Sequence, residues 1–175
     1  VAKLRGMLRQ KKIGHAGTLD PMATGVLVVL LGNATRASDH ASGQSKEYVA
    51  RLQLGQVTDT QDVTGTVLEE HPVTVGEEEL RQILPAFTGD IQQLPPMYSA
   101  VKIGGKKLYE YAREGKEVER KGRKITVSAI DCEMLTDTDY KLDCTVSSGT
   151  YIRTLCADIG AALGCGGIMA ALNRT

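Results

Sequence analysis

Residues 14–25 read Gly14-His15-Ala16-Gly17-Thr18-Leu19-Asp20-Pro21-Met22-Ala23-Thr24-Gly25 and place one carboxylate in a loop flanked by glycines. The apolar run 26–31 follows and has the length of a buried strand. An ionisable group on a loop backed by a rigid element is a common arrangement of functional sites. An Asp-Pro step is also an ordinary turn, because proline keeps the preceding residue out of the α region. Asp20 is therefore either a candidate catalytic residue or a turn former.

Helical patterns appear in three places outside this stretch. Apolar residues recur at helical spacing over 152–163, which predicts a helix that ends at Gly164. The spacing over 1–9 predicts a shorter helix. Thr74 followed by Glu77 resembles a capping box and predicts the start of a third.

Strand patterns lie between these helices. Apolar residues alternate with polar ones over 48–54 and again over 142–146, which predicts two strands that each have one covered face. The elements do not follow a regular β-α-β repeat. The sequence therefore predicts an α+β fold with a largely antiparallel sheet.

Composition restricts the classes of protein that the chain can represent. Its 175 residues fit one domain, and 42% hydrophobic with 24% charged residues is typical of globular proteins. No apolar run approaches the roughly 20 residues that span a bilayer, and no signal-peptide layout is present, so we expect a cytoplasmic protein with no membrane association. The four cysteines lack metal-binding spacing, which predicts reduced thiols and no metal. No heptad or repeat is present, and we expect a monomer.

Charge is balanced overall but unevenly distributed. Residues 1–12 hold five basic residues and no acid, and residues 102–124 hold nine basic residues against four acids. Residues 59–90 hold eight acids against one arginine. A basic face can bind phosphates despite zero net charge. The alternative is that these charge runs only solvate helices.

Four motifs in order resemble one known family. Gly17-Thr18-Leu19-Asp20-Pro21 is similar to the catalytic motif of the TruB family, the tRNA pseudouridine-55 synthases. Further matches are Lys46-Glu47-Tyr48, Pro95-Pro96-Met97-Tyr98-Ser99-Ala100-Val101-Lys102 and Ser148-Gly149-Thr150-Tyr151-Ile152-Arg153. On these matches the chain is identified as a member. It resembles the catalytic domain over 1–175, without the family's extreme N-terminus and its C-terminal RNA-binding domain.

The resemblance implies the pseudouridine synthase fold, with a mixed, mostly antiparallel central sheet flanked by helices and a cleft across its middle. Residues 95–124 resemble the family's thumb-like insert, which closes on the tRNA stem-loop. The insert is basic and carries Tyr98, Tyr109 and Tyr111. For Tyr109 and Tyr111 the alternative is simple packing of a short helix.

The implied activity is the isomerisation of a uridine in the tRNA T loop to pseudouridine, with the base flipped out of its stack. The bond from ribose to the base nitrogen breaks, and the base rejoins through carbon 5. No redox change occurs, so the resemblance implies neither metal nor cofactor, and tRNA is the partner without an obligatory protein. Attack at carbon 6, attack at the anomeric carbon and a glycal route all remain open.

The resemblance assigns three catalytic residues, which are Asp20, Tyr48 and Arg153. Asp20 acts on the nucleotide, and we expect Arg153 to form an ion pair with it in the cleft, because a guanidinium favours the charged carboxylate. Tyr48 is implied to stack on the base and to remove the carbon-5 proton. From the residues alone, Arg153 could equally be a surface arginine and Tyr48 a core tyrosine.

Five further residues are implied to bind the RNA. His15 contacts or replaces flipped bases in the RNA loop. Tyr151 and Leu172 line the uridine pocket, and Arg36 and Lys46 contact phosphates.

Two other functions stay open. One is a guide-RNA-dependent pseudouridine synthase of a ribonucleoprotein, which turnover of bare tRNA would exclude. The other is a non-catalytic tRNA-binding or tRNA-folding module, in which Asp20→Asn would remodel RNA as well as the wild type does.

Overall fold

The computed structural model describes residues 1–175, which form five α-helices and twelve strands. In chain order these are α1 (Ala2–Met7), β1 (Ile13–His15), β2 (Thr24–Gly25), β3 (Val29–Leu31), α2 (Ser38–Ser42), β4 (Lys46–Leu54), β5 (Gln56–Thr58), β6 (Val67–Glu70), α3 (Glu77–Ile83), β7 (Gly89–Gln93), β8 (Lys102–Ile103), β9 (Lys106–Lys107), α4 (Leu108–Arg113), β10 (Arg123–Met134), β11 (Asp139–Val146), α5 (Ile152–Ala162) and β12 (Gly167–Arg174). Two 3₁₀ helices span Gly32–Ala37 and Leu84–Phe87.

Six of the strands form the central sheet, in the order β2-β12-β4-β11-β10-β7. Every neighbouring pair is antiparallel except β12 and β2, which run parallel. The remaining strands form three two-stranded ribbons, β1 with β3, β5 with β6, and β8 with β9. This mixed, mostly antiparallel sheet confirms the predicted α+β class.

The alternation of apolar residues along β4 sets the buried face of the sheet. Tyr48, Ala50, Leu52 and Leu54 are buried, and the residues between them are exposed or half-buried. β11 pairs with β4 from Lys46 to Gln53 and buries its own alternate residues. Side chains on neighbouring strands that share a face stack together, so both predicted strands are confirmed.

Helix α5 packs against this buried face. Ile152, Leu155 and Ile159 are at most 4% exposed and belong to the same apolar cluster as the β4 residues. The helix gives way at Leu163 to Gly164, whose φ of +76° is the left-handed conformation that glycine adopts after a helix. The predicted helix and its end are confirmed.

All four cysteines, Cys132, Cys144, Cys156 and Cys165, are buried and unpaired. Burial raises the pKa of Cys144 to about 12, which keeps that thiol protonated at neutral pH. Free thiols agree with the prediction from their spacing. No helix in the chain has both the length and the apolar character needed to cross a bilayer.

The prediction of a buried strand over 26–31 is wrong. Only Val29–Leu31 is a strand, and Val26 and Val28 are 55% and 48% exposed. The strand pairs with β1 in a two-stranded ribbon outside the central sheet, and its residues are half-buried or exposed. An apolar run alone cannot distinguish these two situations.

Two helix starts also differ from the predictions. Helix α3 begins after Gly76, whose N–H donates to Glu79 Oε2 at 2.9 Å, two residues later than a cap at Thr74. The side chain of Glu79 thus supplies the returning half of the capping box, in place of Glu77. Helix α1 spans only Ala2–Met7, is shorter than predicted, and buries no residue.

Candidate active site

A cleft of about 540 Å³ opens at one end of the central sheet. Its walls come from the loop at 17–21, the turn at 148–153, the insert residues 98–100, and the ends of β4 and β12. These segments are far apart in sequence, and four of them carry the motifs on which the family resemblance depends. No group of three or more His, Cys, Asp or Glu side chains in the chain is arranged to hold a metal ion.

Asp20 and Arg153 meet in this cleft through two parallel hydrogen bonds. Arg153 Nε donates to Asp20 Oδ2 at 3.0 Å, and Arg153 Nη2 donates to Asp20 Oδ1 at 3.0 Å. The Arg153 side chain is 7% exposed, whereas that of Asp20 is 28% exposed. The expected ion pair is therefore present, with a buried cation and a carboxylate that faces the cleft. Such a bidentate pair fixes the plane of the carboxylate as well as its position.

Arg153 also joins two other segments to the pair. Its Nη1 donates to Thr60 O and its Nη2 to Tyr98 O, both at 3.1 Å. Nη1 lies 3.7 Å from Asp62 Oδ2, and the Asp62 side chain is 7% exposed. One guanidinium thus connects the Asp20 loop, the loop after β5 and the base of the insert.

Asp62 is a buried residue of this site that was not predicted from the sequence. Its Oδ1 accepts from Thr60 Oγ1, from the N–H of Thr64 and from Thr64 Oγ1, at 2.8, 2.9 and 2.5 Å. Oδ2 is left to face the guanidinium. The Thr- and Asp-rich run 58–66 is typical of a turn, and that pattern gave no reason to single out one buried carboxylate.

The Asp20 loop owes its shape to a turn and to a close approach of two backbones. Ala23 N–H donates to Asp20 O at 2.9 Å, so Asp20 is a turn former and also faces the cleft. Gly25 has φ of +99°, and a Cβ there would lie 2.0 Å from Arg174 O. Glycine is needed at this point because β2 passes directly beside β12. The loop is thereby held against the end of the sheet.

Tyr48 and Leu172 form part of the cleft wall from adjacent strands. They are 9% and 6% exposed, and both belong to the core cluster. The Tyr48 hydroxyl makes no hydrogen bond within the protein. Tyr48 is thus a core tyrosine and a cleft residue at once, so the two alternatives left open by the sequence are not exclusive.

Tyr151 caps the start of α5 at the edge of the cleft. Its N–H donates to Gln93 Oε1 at 2.8 Å, and its carbonyl accepts from Gln93 Nε2 at 3.0 Å. Gln93 is 2% exposed and fixes the backbone just before Arg153. The two bonds hold the backbone of the N-cap residue, whose own side chain makes no capping hydrogen bond.

Three residues expected to bind RNA have different positions relative to the cleft. Lys46 lines it, and its Nζ donates to Ser42 O at 2.8 Å and to Gln44 O at 2.9 Å. His15 is exposed on β1, and Arg36 is exposed on the 3₁₀ helix Gly32–Ala37. Neither of these two lines the cleft, so the structure does not bring them together with Asp20.

Arg174 is a cleft residue that was not predicted from the sequence. It is 5% exposed, and its Nε donates to Val26 O at 2.8 Å. A usable signal was present, because Arg174 lies two residues after Leu172 on a strand and therefore shares its face.

The insert contributes Tyr98 and Tyr109 to the cleft wall. Burial, followed by the charge of Asp59, raises the pKa of Tyr98, whose hydroxyl donates to Asp59 Oδ2 at 3.4 Å. Tyr109 has Lys107 Nζ at 5.3 Å and the Arg113 guanidinium at 5.2 Å from its ring centre. Flanking cations of this kind are common at nucleic-acid surfaces.

Tyr111 behaves differently from these two tyrosines. Its hydroxyl donates to Ile103 O at 3.2 Å, and Lys106 Nζ lies 4.8 Å from its ring centre. It therefore packs helix α4 onto the β8–β9 ribbon, in agreement with the packing alternative.

A family model and curated relatives match this chain. A family model described as "TruB family pseudouridylate synthase (N terminal domain)" matches residues 5–152. The chain is 52% identical over 178 residues to "tRNA pseudouridine synthase B" of Heliobacterium mobile, covering 99% of this chain and 58% of that protein. It is 49% identical to the protein of the same name from Opitutus terrae, covering 100% of this chain and 73% of that protein.

Solved structures share the fold. The "Crystal Structure of a Cbf5-Nop10-Gar1 Complex" contains a chain with a TM-score of 0.74 and 34% identity, covering 99% of this chain and 43% of that one. The "Structure of H/ACA RNP bound to a substrate RNA containing 2'-deoxyuridine" gives a TM-score of 0.70 at 30% identity, covering 99% and 41%. The chain spans 58% of the length of several curated relatives that it matches. On the family match, this chain belongs to the TruB family of pseudouridylate synthases.

Proposed function

We propose that this domain isomerises a uridine in the T loop of tRNA to pseudouridine, and that Asp20, Tyr48 and Arg153 carry the reaction. The observation that carries the proposal is the bidentate Asp20–Arg153 pair in a cleft walled by Tyr48. A buried cation holds one carboxylate with its face open to a ligand. That arrangement suits attack on a nucleotide whose base has been extruded from its loop.

The role of Arg153 is to keep Asp20 charged and correctly aimed. A carboxylate covered by a bound base loses its contact with water, which disfavours its charged form. Arg153 offsets this through two charge-assisted hydrogen bonds. Because Thr60, Asp62 and Tyr98 also hold Arg153, the guanidinium does not need to reorganise when the substrate arrives.

The role of Tyr48 is to support the detached base and to accept its carbon-5 proton. The glycosidic bond to nitrogen 1 breaks, the base turns, a bond forms from carbon 5 to the ribose, and the carbon-5 proton is lost while nitrogen 1 gains one. Stacking on an aromatic ring contributes about 1–3 kcal/mol per base. The Tyr48 hydroxyl, free of protein partners, is available for proton transfer.

The remaining cleft residues are assigned to substrate binding. Tyr151 and Leu172 flank the position of the uridine, and Lys46 contacts the RNA backbone. Arg36 and His15 lie outside the cleft, and we assign them to the parts of the stem-loop that surround the flipped base. The insert 95–124 acts as the thumb that contacts the stem, through Lys102, Lys106 and Lys107.

The choice of tRNA as substrate is supported by the names of the curated relatives, at 46–52% identity. The structural neighbours are ribonucleoprotein components at 30–34% identity, which supports the guide-RNA-dependent alternative less strongly. The proposal includes a cytoplasmic monomer that acts without a protein partner.

Tritium release from tRNA labelled at carbon 5 of uridine tests the proposal. We expect wild-type protein to release tritium from a bare transcript and Asp20→Asn to release none. Asp90→Asn is the matched control, because Asp90 is exposed on β7 and paired with Lys124 outside the cleft. Equal release by wild type and Asp20→Asn would overturn the role of Asp20. Release that requires a guide RNA and partner proteins would favour the ribonucleoprotein alternative.

A further inference from the structure

Arg174 is a buried cation without a complete set of partners. Its Nε and Nη2 donate to Val26 O at 2.8 Å and to Gly17 O at 3.4 Å. Its Nη1 is inaccessible to solvent and has no hydrogen-bond acceptor. No carboxylate lies within ion-pair distance of this guanidinium, although the residue is only 5% exposed. Buried charged groups are normally paired, so this uncompensated charge requires an explanation.

Lys46 lies beside Arg174 and has no anionic partner either. Its Nζ contacts only the carbonyls of Ser42 and Gln44, which leaves one of its three donors unused. Burial and, after it, the charge of Arg174 lower the pKa of Lys46. The two cations therefore repel each other in the free protein.

Gly17 shows how close the two side chains come to the Asp20 loop. A Cβ built on Gly17 would lie 3.1 Å from Lys46 Cε and 3.4 Å from Arg174 Nη1. Both side chains thus border the same point of the cleft wall, three residues before Asp20. A ligand in the cleft that reaches Asp20 passes directly by them.

We propose that Lys46 and Arg174 form a binding site for one phosphodiester of the RNA, adjacent to the flipped uridine. The proposal rests on the proposed function, which supplies an RNA strand as the occupant of the cleft. A phosphodiester brings one negative charge, which would accept from the unused donor of Lys46 and compensate the positive charge of the Arg174 guanidinium at the cleft wall. The site would pull the sugar-phosphate backbone against the Gly17 loop and so hold the nucleotide over Asp20.

Replacing single phosphates of the RNA tests this site directly. We would prepare T stem-loop RNAs that each carry one neutral methylphosphonate in place of a loop phosphate, and measure their binding to the Asp20→Asn chain and to the same chain with Lys46→Met. Asp20→Asn prevents turnover, so only affinity is measured. A charge-assisted contact is worth about tenfold in affinity.

One phosphate next to the target uridine should behave differently from all others. There, the methylphosphonate should weaken binding about tenfold more in the chain that keeps Lys46 than in the Lys46→Met chain, because Lys46→Met has already removed one charge-assisted contact and leaves only the attraction of Arg174. Lys46→Met should also reduce the slope of log affinity against log salt by about 0.7–0.9. Effects that are additive at every phosphate would overturn the proposal.

Arg174 is tested by a conservative change, because a buried arginine cannot be truncated safely. Arg174→Lys keeps the positive charge, so the effect of the methylphosphonate at this phosphate should persist, whereas Arg174→Gln removes the charge and should reduce that effect; both variants should have circular dichroism spectra that match wild type. If Arg174→Lys does not fold, the Lys46 cycle alone decides the proposal. Lys141→Met is the control, because Lys141 is paired with Glu133 and Asp143 away from the cleft.

The outcomes separate this site from the proposed function. If no T stem-loop binds the Asp20→Asn chain, and wild type releases no tritium, the proposed function fails. If RNA binds and tritium is released but no phosphate is coupled to Lys46, only the phosphate site fails.

Discussion

Two buried arginines border the cleft, and they are compensated in opposite ways. The Arg153 side chain is 7% exposed and lies 3.0 Å from the Asp20 carboxylate and 3.7 Å from the Asp62 carboxylate. Arg174 is similarly buried, but it meets only two carbonyl oxygens and leaves one nitrogen unsatisfied. The same residue type at the same depth is therefore neutralised on one side of the cleft and left positive on the other.

This difference separates two tasks. On the Arg153 side, carboxylates of the protein already compensate the charge of the guanidinium. The geometry of that side therefore exists before any ligand binds. The Arg174 side carries an excess of positive charge, which destabilises the free protein and is relieved only by an anion from outside. Changes on the first side should therefore affect folding and turnover, whereas changes on the second should affect binding.

Arg153→Ala should have the largest effect of any single change in the cleft. It leaves the buried Asp62 without its cation, and breaking a buried charged pair costs about 3–5 kcal/mol of folding free energy. Under the proposed function, turnover should fall about a hundredfold to a thousandfold, because Asp20 is no longer aimed. Urea denaturation and tritium release measure the two effects.

Arg153→Lys is the matched control for charge. Lysine keeps the positive charge but cannot form two parallel hydrogen bonds with Asp20. We expect it to restore much of the stability and little of the turnover. Undiminished tritium release by Arg153→Ala would contradict the role assigned to this pair.

Tyr48→Phe tests the residue that lies between the two sides. Tyr48 pairs with Arg174 in the β4–β12 register and lines the cleft with Asp20. Phenylalanine keeps the stacking surface but removes the hydroxyl, so RNA affinity should change less than about threefold while turnover falls about a hundredfold. Single-turnover tritium release beside filter binding separates these quantities. A variant with normal turnover would remove the phenol from the mechanism.

Asp62→Asn should weaken the compensated side without dismantling it. The amide oxygen can still accept from Thr60 and Thr64, while the charge facing Arg153 is lost. We expect about a tenfold loss of turnover and about 1 kcal/mol of folding free energy. RNA affinity should be unchanged, since Asp62 is not part of the cleft wall. Equal effects on affinity and turnover would contradict the division of tasks between the two arginines.

Local patterns in the sequence predicted the elements that face one core. The alternation along β4 and β11 and the stripe of Ile152, Leu155 and Ile159 all correspond to residues buried on a single sheet face. Periodicity reports a shared face, and here the shared face is real. The run 26–31 failed because its strand belongs to a separate ribbon, which no local pattern encodes.

The candidate site was only partly predictable for a related reason. The Asp20–Arg153 pair followed from family resemblance, because no residue pattern connects positions 133 apart. Asp62 and Arg174 lie outside the motifs that were recognised, and their significance depends on their burial and on the partners that each side chain has or lacks. Of the two, only Arg174 had a signal in the sequence, because it lies two residues after Leu172 and such residues share a face of a strand.

The smallest expected effect concerns the pH dependence of Lys46. Its pKa is lowered in the folded protein, so between that value and the unfolded value of 10.5 the unfolded state binds more protons. The destabilisation that comes from keeping Lys46 charged in the folded protein is therefore complete at neutral pH and disappears as pH rises past 10.5. The free energy of unfolding of wild type, relative to that of Lys46→Met, should therefore increase across this pH range. The increase should be less than about 0.5 kcal/mol, because Lys46 is partly solvated.

Lys141→Met supplies a control of opposite sign, because Glu133 and Asp143 raise the pKa of Lys141 through hydrogen bonds and charge. Its stabilising contribution is complete below 10.5 and is lost as pH rises through the folded value. Urea titrations of the three proteins at pH 7 and at pH 10.5 give the comparison. Adding T stem-loop RNA should reverse the sign for Lys46, because a bound phosphate makes its environment resemble that of Lys141. If RNA does not change the pH-dependent difference in unfolding free energy between wild type and Lys46→Met, the RNA backbone does not bind at the Lys46 and Arg174 side of the cleft.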